Sequence, residues 1–314
     1  MAFFGVCYSP YRIGSPDTWP NGHQPTEQTV DADMATIAKC GFTHVRTYGV
    51  DKGNQWNVDK ATQNNLTLGL GVWVGANDSL DTIKAQINMA LTQAQSAAKK
   101  YTRTLTLDLV VGNELDLVKP QPARIREAMQ YAKNELPRYP GLRARVTTCF
   151  TGAVLEHTGS QWAGVVFDCQ EVVYLTVYPW YGQKYNYDHD RTPFNPGNID
   201  KQMQYSWDHG LRNTINWAKK KVVIAEIGWP SAGYAGTSIP NEQTNYGVTR
   251  KWVSISHQYN GTIPPFDTYW FEMFDESWKT AEGPWGPHWG LYTGGDNPQR
   301  KIQFAEEAVV REPV

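Results

Sequence analysis

The amino-acid sequence predicts an α/β fold, a single (β/α)8 TIM barrel, from its length, its alternating pattern and the absence of a phosphate-binding loop. The chain has 314 residues, a length typical of one such barrel. Eight strand-like runs alternate with helical segments, and strands in such an alternation pair in parallel through crossovers. A doubly wound open sheet is the alternative. It normally carries a glycine-rich loop after a strand, and neither G-x-G-x-x-G nor G-x-x-x-x-G-K-[ST] occurs. We therefore expect one barrel domain over residues 1–314.

Each expected strand is a short run rich in Val, Leu, Thr and aromatic residues, the residue types that fit a buried pleated surface. The eight runs cover residues 2–9, 43–49, 66–74, 105–114, 144–150, 172–179, 221–228 and 266–274.

The helices are predicted from capping residues and apolar spacing. Gly41 ends the first helix, Ser79 is expected to cap the second, and Pro122 precedes the third. The segment 151–168 has the weakest helical pattern. The expected helices cover residues 26–40, 79–100, 124–136, 200–220, 241–259 and 299–310.

The charge balance and hydropathy give no indication of nucleic-acid binding or membrane insertion. The chain carries 29 basic and 31 acidic residues, a formal net charge of −2. No run approaches the roughly 18 apolar residues of a membrane-spanning helix. The N-terminal "MAFFGVCYSP" lacks the basic start and long apolar core of a signal peptide and resembles a first strand instead. We expect a monomer.

The cysteines and histidines do not indicate a metal site. The four cysteines, Cys7, Cys40, Cys149 and Cys169, lack metal-ligand spacing, and the seven histidines include no H-E-x-x-H motif. We expect no cofactor and mostly free thiols, with a Cys149–Cys169 disulfide as the alternative.

Two acidic residues follow strongly apolar strands. Glu114 ends the fourth expected strand, and Glu226 follows the run 222–225 in the seventh. Active sites of barrels lie at the C-terminal ends of their strands, so both carboxyl groups are expected at one mouth. Desolvation and mutual repulsion would leave one protonated and one ionised, the arrangement that glycoside cleavage requires. Taken singly, either acid is also typical of a solvated rim residue or an ion-pair partner.

Aromatic side chains near these acids favour a sugar ligand. The chain has 13 Trp and 17 Tyr, whose flat apolar faces and polar tips suit pyranose rings. Tyr178, Trp180 and Tyr181 follow the sixth strand and are interpreted as sugar platforms, although such residues also close barrel rims. Trp229 follows Glu226 and is placed to stack under a ring, while Asn113 precedes Glu114 and is placed to bind a sugar hydroxyl.

Six motifs on expected strands and one near the end of the chain together resemble glycoside hydrolase family 17, which contains endo-β-1,3-glucanases and β-1,3-glucanosyltransferases. The motifs span nearly the whole chain. They are "GVCYSPY", "VRTYG", "VVGNE", "VYPW", "EIGWPSAG", "FEMFDESWK" and "WGLY".

This resemblance implies a retaining enzyme for β-1,3-glucan that is secreted or located in the cell wall. It implies Glu114 as general acid/base and Glu226 as nucleophile, with carboxyl groups about 5–5.5 Å apart. Tyr48 matches a tyrosine that holds the nucleophile. Further polar and aromatic residues are expected around the pair, namely Glu276, Trp278, Lys279 and Glu282.

Three alternatives stay open from the sequence. A barrel glycosidase for another β-glycan would use the same acid pair, and a non-catalytic glucan-binding protein would use the same aromatics. Hydrolysis and sugar transfer share their first step, and Trp180, Trp278 and Trp285 are candidates for the acceptor platform that favours transfer.

Overall fold

Nine short strands form one parallel sheet in the computed structural model, which describes residues 3–152, 160–178, 211–228, 230–233 and 266–301. In chain order they are β1 Phe4–Cys7, β2 His44–Arg46, β3 Thr67–Val72, β4 Leu105–Val111, β5 Leu142–Thr147, β6 Cys149–Thr151, β7 Val172–Thr176, β8 Lys221–Ile227 and β9 Asp267–Trp270.

The sheet is a barrel of eight strands, because β5 and β6 together occupy one strand position. The strand order is β5-β4-β3-β2-β1-β9-β8-β7-β6, and only Thr148 separates its two terminal strands in the chain. Hydrogen bonds run across this break: the Tyr174 amide donates to the Thr148 carbonyl at 3.1 Å and the Gln170 amide to the Val146 carbonyl at 2.9 Å. The predicted (β/α)8 TIM barrel is confirmed.

The helices lie between consecutive strands, as the crossover connections of a parallel barrel require. Short 3-10 helices are found at Pro16–Thr18, Leu136–Arg138, Lys279–Glu282 and Gly286–His288. The α-helices are α1 Glu27–Lys39, α2 Asn57–Gln63, α3 Leu80–Lys100, α4 Leu115–Val118, α5 Pro122–Glu135, α6 Ala163–Asp168 and α7 Arg212–Ala218.

Local sequence accounts for the helix starts. Thr26 caps α1 through a reciprocal pair of side-chain to backbone hydrogen bonds with Thr29. The Ser79 hydroxyl accepts from the Thr82 amide at 3.1 Å and caps α3. Pro122 is the first residue of α5, where its missing N–H has no cost.

The predicted elements differ from the observed ones mainly at their ends. β4 stops at Val111, because Gly112 takes a φ of +84° and turns the chain. The helix α2 lies in a connection for which no helix was predicted. Arg300 forms an antiparallel bridge with Tyr292, so the last expected helix does not begin at residue 299. Residues 200–210, 241–259 and 302–310 of the expected helices lie outside the described residues.

The space between sheet and helices is filled by apolar side chains, whereas several polar groups lie inside the barrel. In α1, Val30, Met34 and Ile37 are fully buried. Within the barrel, Asp108 of β4 accepts two hydrogen bonds from Arg145 at 2.7 and 2.9 Å and one from the Tyr174 hydroxyl at 2.8 Å. Satisfied polar groups of this kind fix strand register.

The described residues also bear on membrane, metal and disulfide expectations. No helix within these residues is long and apolar enough to span a bilayer. Across the same ranges, no group of three or more His, Cys, Asp or Glu is arranged to hold a metal ion. All four cysteines are buried free thiols, so the structure contains no Cys149–Cys169 disulfide.

Candidate active site

Glu226 lies near the end of β8, where a bulge sets its direction. The preceding residues 222–225 are buried, and Glu226 itself is 4% exposed. Leu175 of β7 pairs with Ile224, but Thr176 pairs with Glu226, so Ala225 is the extra residue. Bulges of this kind re-aim a side chain at the rim of a barrel.

Three donors hold the carboxylate of Glu226. Its Oε1 accepts from the guanidinium of Arg46 at 2.5 Å and from the Tyr48 hydroxyl at 2.9 Å. Its Oε2 accepts from the Tyr178 hydroxyl at 2.6 Å. Burial, then the charge of Glu226, raises the pKa of Tyr178 well above its usual range, so this hydroxyl keeps its proton. The carboxylate of Glu226 is thus held by one cation and one hydroxyl on Oε1 and by a second hydroxyl on Oε2.

Arg46 connects the two halves of the site. It ends β2, is 1% exposed, and donates from its second terminal nitrogen to Asn113 Oδ1 at 2.6 Å. Because arginine only donates, the Asn113 oxygen must face it, and the amide NH2 group is left to donate elsewhere. Arg46 therefore orients the nucleophile candidate and the residue before Glu114 together.

A glycine allows the strand ends carrying these residues to approach. Gly71 of β3 packs against the backbone after β2, and a Cβ atom there would lie 2.2 Å from the Thr47 carbonyl oxygen and 2.6 Å from the Tyr48 Cα. Any larger residue at Gly71 would displace Tyr48.

Glu114 adopts a backbone conformation that non-glycine residues rarely take. After the turn at Gly112, Glu114 has φ 45° and ψ 51° and begins α4. Left-handed backbone at a non-glycine residue stores roughly 1–3 kcal/mol of strain and is concentrated at functional sites. The conformation directs the carboxyl group toward β7, where the Thr176 hydroxyl donates to its Oε1 at 2.7 Å.

The environment of Glu114 favours its protonated form. Burial, then the charge of Glu226, raises the pKa of Glu114 from 4.5 to about 7. The Thr176 hydrogen bond and Arg46 oppose this rise. Glu226 is thus held by three donors, and Glu114 keeps its proton in mildly acidic solution.

A second ionic cluster lies beside the pair. The Lys279 ammonium is 2.9 Å from Glu272 Oε2 and 2.6 Å from Glu276 Oε2. Glu276 Oε1 accepts from the Ser9 hydroxyl at 2.5 Å and from the Trp278 indole at 3.2 Å. This cluster fixes the residues that follow β9.

Aromatic packing joins this cluster to Glu226. Lys279 lies 4.4 Å from the centroid of the Phe271 ring. Phe271, Tyr178 and Trp289 pack edge to face at centroid distances of 5.3–5.7 Å. The hydroxyl of the half-buried Tyr178 binds Glu226, a contact not expected from the sequence, while its role as a sugar platform stays a prediction.

The remaining residues expected at the site differ in exposure, and some lie outside the described residues. Glu282 is exposed at the end of the 3-10 helix Lys279–Glu282, and Trp285 is half-buried. Trp180, Tyr181 and Trp229 lie outside the described residues.

Sequence reasoning missed Arg46, Thr176, Ser9 and Trp73 as members of this region. The available signal for Arg46 was a charged residue near the C-terminal end of an expected strand, two positions before Tyr48. Trp73 follows β3 directly and is 52% exposed. It lies beside the Glu114 segment, since the Gly112 amide donates to the carbonyl of Val72 at 2.9 Å.

Comparison with known protein families shows the family to which this chain belongs. A model of the BtgE/BtgC glycoside hydrolase domain matches residues 5–290. The chain belongs to this family. It is 27% identical over 326 aligned positions to a probable glucan endo-1,3-β-glucosidase btgC of Aspergillus fumigatus, an alignment that covers 94% of this chain and 42% of the relative. A glucan endo-1,3-β-glucosidase btgC of Emericella nidulans is 24% identical over 97% of this chain and 46% of its own. The family member described here thus spans less than half the length of these curated relatives.

Solved structures share the fold. An endo-laminarinase from Formosa Hel1_33_131 superimposes with a TM-score of 0.69 at 18% identity, covering 93% of this chain and 83% of that one. CJP38, a β-1,3-glucanase and allergen of Cryptomeria japonica pollen, superimposes with a TM-score of 0.59 at 17% identity, covering 96% and 99%.

Proposed function

We propose that this BtgE/BtgC-family chain is a retaining glycosidase of the family 17 type that acts on β-1,3-glucan through a covalent glycosyl-enzyme. The observation that carries the proposal is the contrast between the two acids. Glu226 receives three donors on its carboxylate, while burial and the charge of Glu226 raise the pKa of Glu114 to about 7. One ionised nucleophile and one protonated acid are what the first step of retention needs.

In the first step, Glu226 attacks the anomeric carbon as Glu114 protonates the glycosidic oxygen. The C–O bond to the leaving sugar breaks, a C–O bond to a Glu226 oxygen forms, and the proton of Glu114 leaves with the departing hydroxyl. Tyr48, Tyr178 and Arg46 hold the nucleophile in position, which lowers the entropic cost of attack.

In the second step, Glu114 acts as base toward the acceptor. It removes a proton from water or from a sugar hydroxyl, whose oxygen attacks the anomeric carbon and releases Glu226. The exposed Trp73 beside the Glu114 segment offers a stacking face for an acceptor sugar. We therefore propose glucanosyl transfer alongside hydrolysis.

The β-1,3-glucan assignment is supported by the names of the relatives and by the polar groups near the pair. The Asn113 amide and the Glu276–Lys279 cluster, with Trp278, offer hydrogen-bonding groups and an indole face to a hydroxylated ligand. An extracellular or cell-wall location, and action as a monomer without cofactor or metal, are part of the same proposal.

Product analysis tests the proposal. Laminarin should release reducing ends, whereas mannan and carboxymethylcellulose should not, and products longer than the substrate should appear at high oligosaccharide concentration. Preferential cleavage of another polysaccharide would contradict the substrate. Glucan binding without cleavage would identify a non-catalytic binding protein.

A further inference from the structure

The hydroxyl of Thr176 occupies a position between the two acidic residues. Thr176 ends β7, is 4% exposed, and pairs in register with Glu226 because of the bulge at Ala225. Its backbone is fixed on both sides: the Val177 amide donates to the Glu226 carbonyl at 2.9 Å, and the Gly152 amide donates to the Thr176 carbonyl at 2.9 Å. Its hydroxyl donates to Glu114 Oε1 at 2.7 Å.

We propose that Thr176 is a positioning residue that determines which oxygen of Glu114 carries the catalytic proton. In a protonated carboxyl group, the carbonyl oxygen is the good acceptor and the other oxygen carries the O–H. Because Thr176 donates to Oε1, the Glu114 proton resides on Oε2, the oxygen that is then presented to the glycosidic oxygen. This inference rests on the proposed function of Glu114 as acid/base.

The same hydrogen bond persists when Glu114 loses its proton. The hydroxyl donor then stabilises the carboxylate and keeps Oε2 directed at the acceptor for the return step. Thr176 thus limits the rise in pKa that burial causes, so that one carboxyl group serves as acid and as base.

Five charged or titratable groups also act on Glu114, from four further elements and from the residues after β7. Within the described residues, the hydroxyl donor to Oε1 is the neutral Thr176, which is not one of these groups. These groups are Glu226 on β8, Asp116 on α4, Arg46 on β2, Cys149 on β6 and Tyr178 after β7. Substituting Thr176 therefore removes a neutral donor and leaves the surrounding charges unchanged.

Two readouts of Thr176→Val test the inference. A carbon-13 NMR titration of glutamate carboxyl groups, with the Glu114 signal assigned by Glu114→Gln, should show a higher Glu114 pKa than in the wild type. On laminari-oligosaccharides, kcat should fall by about tenfold or more, with the upper limb of the pH profile moved to higher pH. The value of kcat on an aryl glycoside whose leaving group needs no protonation should fall much less.

Conservative and control variants separate this role from a general packing defect. Thr176→Ser keeps the hydroxyl and should restore the wild-type pKa and substrate preference, and Thr176→Ala provides a second variant without the hydroxyl. Thr147→Val is the matched control, because its buried hydroxyl donates to the Val172 carbonyl at 2.8 Å and not to Glu114.

The outcomes for Thr176 and for the proposed function are distinguishable. An unchanged Glu114 pKa in Thr176→Val, or equal rate losses on both substrates, would overturn the role of Thr176. If the wild type releases no reducing ends from any β-glycan, the proposed function fails, while the NMR titration still tests the hydrogen bond directly.

Discussion

At the scale of single residues, the most informative side chains are those that hold Glu226. Arg46 and Tyr48 share Oε1, whereas among the described residues only Tyr178 donates to Oε2. The two oxygens of the proposed nucleophile are therefore supported unequally. A change at Tyr178 should have the clearer kinetic effect.

We predict that Tyr178→Phe lowers kcat/KM on laminari-oligosaccharides by about 10–100-fold, because a hydrogen bond to a charged group contributes about 1.5–3 kcal/mol. Steady-state kinetics measures the loss. Tyr131→Phe is the control, since that hydroxyl bonds Asn88 at 2.9 Å on the outer helices, and its activity should match the wild type. Equal activities for all three proteins would argue against a role for Tyr178.

The protonation of Glu114 leads to a prediction about pH. Its pKa of about 7 means that the acid form is lost as pH rises through neutrality, so kcat/KM should fall along an upper limb centred near that value. Glu114→Gln should lose about 10²–10⁴-fold on laminarin. With an activated aryl glycoside, the rate of the first step of this variant should fall little. That rate is measured from the burst of aryl alcohol. A flat profile from pH 5 to about 9 would exclude Glu114 as the acid.

At the scale of elements, the site lies on the C-terminal ends of β2, β7 and β8 and on the residues that follow β2, β3, β4, β7 and β9. Gly71 permits the approach of the β2 end, and the bulge between β7 and β8 brings Thr176 level with Glu226. The segment after β3 contributes an exposed indole next to the Glu114 turn. That segment should affect binding of the acceptor sugar more than cleavage of the glycosidic bond.

We predict that Trp73→Ala lowers the ratio of transfer to hydrolysis by several-fold, because the indole face that stacks on the acceptor sugar is lost. Chromatography of products at high laminari-oligosaccharide concentration gives the ratio. The exposed Phe167 on α6 lies away from this loop in sequence and strand order, and Phe167→Ala should leave the ratio unchanged. A fall in both rates without a change in ratio would place Trp73 outside acceptor binding.

Element positions were predictable from sequence because they depend on local signals. All eight barrel strands were located from β-branched and aromatic runs, and Thr26, Ser79 and Pro122 were found at or next to helix starts. The fourth strand was predicted to run to Glu114, although Gly112 and Asn113 are residue types depleted in strands, and the backbone turns at Gly112.

The contacts within the site depend on tertiary structure and were less predictable. A tyrosine after a strand fits both a sugar platform and a hydroxyl donor, and the donor role of Tyr178 is visible only once Glu226 is placed beside it. Arg46 contacts Glu226, which lies 180 residues away in the sequence, and Thr176 contacts Glu114, which lies 62 residues away. Neither pairing has a local signature, because each follows from strand order and from a bulge.

At the scale of the whole molecule, the site lowers the free energy of unfolding. The same features support the proposed chemistry. Glu114 combines left-handed backbone with a carboxyl group whose pKa is raised from 4.5 to about 7. The folded protein therefore binds this proton more tightly than the unfolded chain. Stability from this group is fully present below about pH 4.5, and it is lost as pH rises through about 7.

We predict that Glu114→Gln raises the free energy of unfolding at pH 8 by about 1–3 kcal/mol and has little effect near pH 4.5. The reason is that the amide avoids the cost of a desolvated charge. Urea unfolding at both pH values measures the difference. The exposed Glu127 on α5 provides the control, and Glu127→Gln should show no comparable pH-dependent gain. A variant less stable than the wild type at pH 8 would contradict the environment described for Glu114.

In the proposed mechanism Glu226 becomes covalently bonded to the sugar, and trapping that bond tests the mechanism most directly. A 2-deoxy-2-fluoro-laminaribiosyl fluoride slows release of the intermediate, and peptide mass spectrometry then locates the added glycosyl group. We predict one label per chain, on Glu226. An enzyme that cleaves laminarin but carries the label on another residue, or that releases a product of inverted anomeric configuration without any label, would contradict the account.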